Sequence, residues 1–143
     1  MTEISFHTGV PDLYGYTCRL VRKAVRKGAA VVVSAPTETL RRFDQALWAF
    51  EPLEFIPHAM VREGQAIEPR LARTPVWLVP PGVQSPSTDV LVNLGPEVAP
   101  GFENYQRVIE IVGVEPAQAQ AARQRWRHYK ERGYAVTHHE VSA

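Results

Sequence analysis

The feature that most restricts the fold of this chain is an apolar run of five residues, Ala29 to Val33, which Gly28 precedes and Pro36 soon follows. A strand with one face in water alternates apolar and polar residues, whereas this run is apolar on both faces. Such a strand has to be covered on both sides by other elements, as the central strands of parallel sheets are. The run therefore predicts a parallel sheet with helices on both faces.

The residues before this run predict the other parts of a strand–helix–strand unit. Apolar residues recur at three- and four-residue spacing from Leu13 to Val25, and Gly28 stands in the C-cap position after that helix. A short segment, Ile4 to His7, alternates and predicts a first strand that Thr8-Gly9 closes as a turn. A strand, a helix and a buried strand in this order are typical of a doubly wound α/β sheet.

The remaining segments continue the alternation of strands and helices. Apolar spacing predicts a second helix that ends at Pro52 and a last helix from Pro116 to Arg132. Further strands are predicted at Phe55 to Pro57, Val76 to Val79, Val90 to Leu94, Arg107 to Val112 and Tyr134 to His138. A short irregular helix is predicted between Gly95 and Tyr105, and residues 59 to 73 are interpreted as a surface loop. We expect one three-layer α/β/α domain over residues 1–143, with a mostly parallel, Rossmann-like central sheet.

The common catalytic and cofactor-binding motifs are absent from the sequence. The turn after the apolar run, residues 34–37, has no glycine that would let a backbone approach a pyrophosphate, and no phosphate-binding glycine motif or nucleophile elbow occurs. One cysteine and five histidines do not have the spacing of a zinc site. We therefore expect no catalytic residue, no metal and no cofactor, and we interpret His58 as a hydrogen-bonded structural histidine. Asp89, at the start of a strand, leaves open a cofactor-binding enzyme of methyltransferase-like fold.

Charge is distributed unevenly along the chain, although the formal net charge is only +1. So small an excess argues against a domain that binds polyanions over its whole surface. Basic residues nevertheless crowd the first and last predicted helices: Arg19, Arg22, Lys23, Arg26 and Lys27 in one, and Arg123, Arg125, Arg127, Lys130 and Arg132 in the other. Direct nucleic-acid binding by these helices therefore remains an alternative.

The expected compartment follows from what the chain lacks. Its first residues show no basic segment followed by an apolar one, and no apolar run approaches about 18 residues. The single cysteine, Cys18, excludes an internal disulfide and suits a reducing environment. We expect a cytoplasmic protein that does not contact a membrane.

The last helix carries the clearest candidate binding site. Arg123, Arg127 and Lys130 follow one another at i, i+4 and i+7, so their cationic ends line one side of the helix. Trp126 and Tyr129 belong to an adjacent apolar stripe. Cations beside aromatic rings suit a peptide that ends in acidic residues and a hydrophobic one. The alternative is that the cations are merely solvated and that both rings belong to the core.

A second candidate site lies around the end of the second helix. Trp48 falls outside the apolar stripe of that helix, and Phe55 and Pro57 follow after the helix ends at Pro52. Two aromatic rings and a proline are thereby left near a surface, where they predict an anchor for a protein partner. The alternative is ordinary packing at the edge of the core.

This region also resembles a known family. An Asp, an Ala-Leu-Trp and, after a spacer, Phe-x-Pro-His form a pattern of the chi subunit of bacterial DNA polymerase III, and the matching residues are Asp44, Ala46, Leu47, Trp48, Phe55, Pro57 and His58. The similarity continues in Glu63-Gly64, in residues 89–94 and 108–112, and in Arg123, Tyr129 and Lys130 of the last helix. The resemblance implies a non-catalytic accessory subunit of the replicative polymerase.

The resemblance also implies two partners. Chi proteins bind the acidic C-terminal tail of single-stranded DNA-binding protein, and Arg123, Trp126, Arg127 and Tyr129 fall on the tail-binding positions, with Lys130 extending the charge. Trp48, Phe55 and Pro57 fall in the region that docks the psi subunit of the clamp loader. Contact with DNA would then be indirect. Trp126-Arg127 stands where the family commonly has Tyr-Lys, and an arginine can bind a carboxylate in bidentate fashion.

Overall fold

The computed structural model of the chain describes residues 2–50, 56–61, 74–83, 85 and 87–141. Within these residues the chain forms seven strands, three α-helices and one short 3-10 helix. In chain order they are β1 (Glu3–Val10), α1 (Leu13–Arg26), β2 (Val31–Ser34), α2 (Thr37–Phe50), β3 (His58–Met60), β4 (Val76–Val79), β5 (Val90–Asn93), the 3-10 helix (Phe102–Asn104), β6 (Arg107–Gly113), α3 (Pro116–Glu131) and β7 (Val136–Glu140).

The seven strands form one sheet in the order β3-β4-β2-β5-β6-β1-β7, and every neighbouring pair is parallel. Val31 and Val33 of β2 face a core that α1 and α2 cover, while Val32 faces a second core beneath α3. All three valines are at most 1% exposed. The predicted three-layer α/β/α arrangement is confirmed, and the sheet is fully rather than mostly parallel.

The first strand is longer than predicted. Thr8-Gly9 does not end β1, which continues to Val10. The register against β6 shifts between His7 and Val10, and Gly9 has a φ of +69°, a left-handed value that favours glycine. The predicted turn was therefore wrong: the glycine forms a bulge within the strand.

The predicted strand at Phe55 to Pro57 lies three residues too early. Among the described strands the edge strand is β3, at His58–Met60, which pairs with β4. Pro57 has no amide hydrogen to donate, so pairing begins only after it. Phe55 lies outside the described residues. Of the predicted loop at residues 59–73, positions 59 and 60 belong to β3, and residues 62–73 also lie outside the described part.

The short irregular helix predicted between Gly95 and Tyr105 is confirmed as the three-residue 3-10 helix, and Pro96 and Pro100 before it lack the amide hydrogens that a longer helix would need. One further prediction differs from the structure. The last strand starts at Val136 rather than Tyr134. The amide of Tyr134 donates to the carbonyl oxygen of Tyr129 at 3.2 Å, so this residue still belongs to the end of α3.

Candidate functional site

A buried polar cluster fixes how α3 lies against the sheet. Arg125 Nε donates to Glu110 Oε1 at 2.9 Å, and the Tyr129 hydroxyl donates to Glu110 Oε2 at 2.6 Å. Asn93 Nδ2 donates to that second oxygen at 3.1 Å, and Arg125 Nη1 reaches the carbonyl oxygen of Pro96 at 2.9 Å. The cluster joins β5, β6 and α3, and no buried side-chain polar atom of the described residues lacks a partner.

The charge of this cluster is compensated inside the protein. Glu110 is fully buried and Arg125 is 4% exposed. Burial raises the pKa of the Glu110 carboxyl, while the Arg125 guanidinium and the three hydrogen-bond donors oppose that rise by favouring the carboxylate. Removing one partner of a buried pair leaves an uncompensated charge, so the cluster holds α3 in one rotation about its axis.

That rotation decides which side chains of α3 reach the surface. At roughly 100° per residue, Arg123 and Arg127 each lie about 160° from Arg125 around the helix, and Lys130 lies about 140° from it. Because Arg125 points to the buried cluster, the other three cations point away from it. They border an open groove between α3 and the carboxyl ends of β1 and β6.

This groove, termed here the apolar groove, has a volume of about 860 Å³. Its lining is mainly apolar and includes Phe6, Val112, Val114, Ala119, Ala122 and Trp126, with Arg123, Arg127, Lys130 and His138 around them. Val114 is 63% exposed, which is unusual for a valine next to a core strand. An exposed apolar surface rimmed by charge is typical of an interaction site.

Trp126 forms one wall of the apolar groove and is only partly buried. Its ring lies 5.2 Å from the ring of Phe6, between centroids, and 6.1 Å from that of His138. The ammonium group of Lys130 lies 5.8 Å from the centre of the Trp126 ring, within cation–π range. Aromatic contacts therefore hold the indole in place beneath the cations.

The cations of the apolar groove lack counterions among the residues that the structure describes. Within the described residues, Arg123, Arg127 and Lys130 form no ion pair with a carboxylate. Arg125, in the same helix, has its carboxylate partner 2.9 Å away. The groove therefore combines an apolar floor with positive charge that remains available to an acidic ligand.

The structure brings together four of the five residues predicted for the tail-binding site. Arg123, Trp126, Arg127 and Lys130 all line the apolar groove, whereas Tyr129 does not. Placing Tyr129 at a binding surface was wrong, because its side chain is 0% exposed and its hydroxyl is bonded to Glu110. The alternative that both rings belong to the core holds for Tyr129 only.

Several lining residues were not identified from the sequence. Phe6 and His138 come from β1 and β7, and Val112 and Val114 come from β6 and the residues that follow it. They reach α3 only through the pairing of β1 with both β6 and β7. Nothing in their local sequence distinguishes them from other strand residues.

The second candidate surface lies at the opposite edge of the sheet. Trp48 is 58% exposed, and its ring centroid lies 5.0 Å from that of His58. The His58 ring lies between two oxygen atoms, with Nδ1 at 2.7 Å from the Ile56 carbonyl and Nε2 at 3.0 Å from Asp44 Oδ1. The prediction of a structural histidine is confirmed. Pro57 is exposed beside it, and Phe55 lies outside the described residues.

The other residues considered for cofactor binding, thiol chemistry or metal binding have structural roles or no suitable partners among the described residues. Asp89 Oδ2 accepts a hydrogen bond from the Ala30 amide at 3.2 Å, so its carboxylate ties two neighbouring strands together. Burial raises the pKa of Cys18 to about 11, which keeps the thiol protonated and unreactive at neutral pH. Among the described residues, no group of three potential ligands could hold a metal ion. In the same part of the chain, the helices are too short or too polar to cross a membrane.

Comparison with known proteins agrees with the resemblance in the second helix and the last helix. Residues 1–137 match the model of the family described as DNA polymerase III chi subunit, HolC. The protein named DNA polymerase III subunit chi from Pseudomonas aeruginosa is 41% identical over 129 residues, which cover 87% of this chain and 83% of that protein. Its namesake from Escherichia coli strain K12 is 30% identical over 128 residues, 88% of this chain and 84% of the relative. The chain therefore belongs to the DNA polymerase III chi subunit family.

Proposed function

We propose that this chain is a non-catalytic, cytoplasmic accessory subunit of the DNA polymerase III holoenzyme. It links the clamp loader, through the psi subunit, to the acidic C-terminal tail of single-stranded DNA-binding protein. The observation that carries the proposal is the apolar groove, in which Trp126 and an apolar floor lie beneath three cations without ion-pair partners in the described part of the chain.

The groove matches the two kinds of group in such a tail, the terminal Phe side chain and the carboxylates. A terminal Phe side chain packs against Phe6, Val112 and Trp126, which provide both aliphatic and aromatic contacts. Its free carboxylate and the acidic residues before it lie among the guanidinium groups of Arg123 and Arg127. Arginine suits this position because its planar fork binds carboxylates through two parallel hydrogen bonds.

The expected affinity is moderate. Burying one Phe contributes roughly 1.5–3 kcal/mol, and each charge-assisted hydrogen bond contributes roughly 1.5–3 kcal/mol. Ordering a flexible peptide offsets several kcal/mol of that sum. The isolated tail is therefore expected to bind with a dissociation constant in the micromolar range, which corresponds to a binding free energy of about −8 kcal/mol.

Calorimetric titration with a tail peptide tests this site. The peptide with its terminal Phe is expected to bind, and the same peptide without Phe to bind at least ten times more weakly. Arg127→Ala is expected to weaken binding by a similar factor, while Arg41→Ala, on the exposed side of α2, serves as the matched control. Indifference to both the terminal Phe and Arg127→Ala would exclude the apolar groove as the tail site.

The surface around Trp48 is the proposed contact to psi. A tryptophan that is 58% exposed and still held by ring contact with His58 offers a pre-ordered anchor, and such residues commonly dominate interfaces. Trp48→Ala and Phe55→Ala should each reduce co-purification with clamp-loader components without changing binding of the tail peptide. Undiminished recovery of those components with both variants would place the psi contact elsewhere.

A further inference from the structure

A second groove lies on the other face of β1 and β7, two strands that each contribute a side chain to the apolar groove. Successive residues of a strand point to opposite faces, so Phe6 and His138 line the apolar groove while His7 and His139 line this one. The second groove has a volume of about 480 Å³ and lies between α1 and the edge of the sheet formed by β1 and β7. It is termed here the polar groove.

Three cations from two elements surround the polar groove. Arg19 and Lys23 lie one turn apart on α1, and Arg107 begins β6. None of the three forms an ion pair or a hydrogen bond through its side chain to any described residue. The polar groove therefore concentrates positive charge, and no acidic side chain of the described residues lines it.

Two histidines place ring nitrogens beside these cations. The rings of His7 and His139 lie 5.4 Å apart between centroids, and His7 Nδ1 lies 2.6 Å from the hydroxyl oxygen of Tyr16. Burial, together with the repulsion of His139 and Arg107, lowers the pKa of His7. An anion in the groove would relieve this repulsion.

The lining of the polar groove indicates which anion fits. It offers hydroxyl groups and ring nitrogens beside the cations, and Leu20 is its main aliphatic contribution, so it lacks the apolar floor that anchors a hydrophobic side chain. Arginine, lysine, histidine and hydroxyl donors together are the groups that bind phosphate oxygens. The groove is open and its cations come from two separate elements, α1 and β6, which favours several phosphates in a chain over one enclosed phosphate.

We propose that the polar groove binds the phosphodiester backbone of single-stranded DNA without reading its bases. A flexible single strand can follow a concave path between a helix and a strand, whereas a duplex presents its phosphates on a broad convex surface. Membership in a DNA polymerase subunit family makes DNA the polyanion in question. This contact is separate from the proposed binding of the protein tail, which uses the opposite face of β1 and β7.

Fluorescence anisotropy with a labelled thymidine oligonucleotide tests the proposal with the full chain. Binding is expected at low salt. The logarithm of the association constant should fall linearly with the logarithm of the salt concentration, with a slope of about −0.7 for each phosphate that is neutralised. The double variant Arg19→Gln/Lys23→Gln should bind at least ten times more weakly and show a smaller salt slope. No binding by the unmodified protein at low salt would overturn the proposal.

A matched variant separates this site from the effect of net charge. Arg41→Gln/Arg42→Gln removes the same two charges from α2, where both arginines lie within 3.5 Å of Glu38. We expect it to bind the oligonucleotide within twofold of the unmodified protein. Equal losses in both double variants would show that only overall charge matters and would overturn the proposal.

Nuclear magnetic resonance and competition locate the contact. Titration with the oligonucleotide should shift the ring signals of His7 and His139 and leave that of His138, in the apolar groove, unchanged. A polyglutamate peptide or a DNA duplex of equal charge should displace the oligonucleotide poorly. Displacement by either at equal concentration, or a shift confined to His138, would assign the binding to another class of ligand or another site.

Discussion

The inner and outer sides of α3 carry the same residue type in opposite circumstances. Arg125 is buried and bonded to Glu110 at 2.9 Å, while Arg127, two residues later, borders the apolar groove and has no carboxylate partner among the described residues. On the inner side the charge of Arg125 holds the helix in place, and on the outer side the charge of Arg127 is available to a ligand. The comparison teaches that the role of a basic residue in this helix depends on its angle around the helix axis.

The largest expected effect concerns stability. Arg125→Met leaves Glu110 buried without its cation and should lower the free energy of unfolding by about 3–5 kcal/mol. Urea unfolding at neutral pH measures the difference. Arg123→Met, the same change on the outer side, should alter it by less than about 0.5 kcal/mol. Similar losses from the two variants would abolish the distinction between the two sides.

The next largest effect concerns the ligand. Arg123→Gln/Arg127→Gln removes two charge-assisted hydrogen bonds of about 1.5 kcal/mol each, so the affinity for the tail peptide should fall about 100-fold. The unfolding free energy should stay unchanged, which is checked on the same preparation. If stability fell with affinity, the outer arginines would also be structural.

A smaller effect separates the two aromatic residues of α3. Tyr129→Phe removes the hydroxyl that donates to Glu110 and should lower the free energy of unfolding by about 1–2 kcal/mol while leaving tail affinity unchanged. Trp126→Phe should do the reverse and weaken tail binding a few-fold. Urea unfolding and peptide titration measure both variants. A reduced tail affinity of Tyr129→Phe would show that Tyr129 belongs to the tail-binding site after all.

The smallest expected effect is the response to salt. Raising the ionic strength from about 0.1 M to 1 M shortens the screening length from about 10 Å to 3 Å, so tail binding at the exposed cations should weaken several-fold. The contribution of the buried Arg125–Glu110 pair should hardly change, because buried pairs are screened much less. The test is the stability difference between Arg125→Met and the unmodified protein at both salt concentrations; a difference that disappears at 1 M would mean that water reaches the pair.

Several features of the fold were predictable from local sequence. Because Val31 to Val33 are apolar on both faces, they predicted a covered central strand. The helical spacing of α2 placed Trp48 outside its apolar stripe, and Trp48 is exposed. The spacing of Arg123, Arg127 and Lys130 likewise placed them on one side of α3. The bulge at Gly9 was misread because a glycine there fits a turn and a bulge equally well.

Tyr129 shows where local reasoning fails. Trp126 and Tyr129 are separated by about 60° around the helix and share one apolar stripe by spacing. The stripe crosses the border of the groove, so the Trp126 ring forms its wall, whereas the Tyr129 ring is fully buried and its hydroxyl donates to Glu110. A difference of this size cannot be read from spacing, since both angles belong to the same helical face.

The sequence by itself determined the alternation of strands and helices, the doubly covered sheet and the side of α3 on which its outer cations lie. Only the tertiary structure decided which side of α3 faces the sheet and which strand residues complete the two grooves. Periodicity fixes angles within one element, whereas the orientation of α3 depends on Asn93 and Glu110 from β5 and β6. Those contacts exist only once the parallel strands have been paired in register.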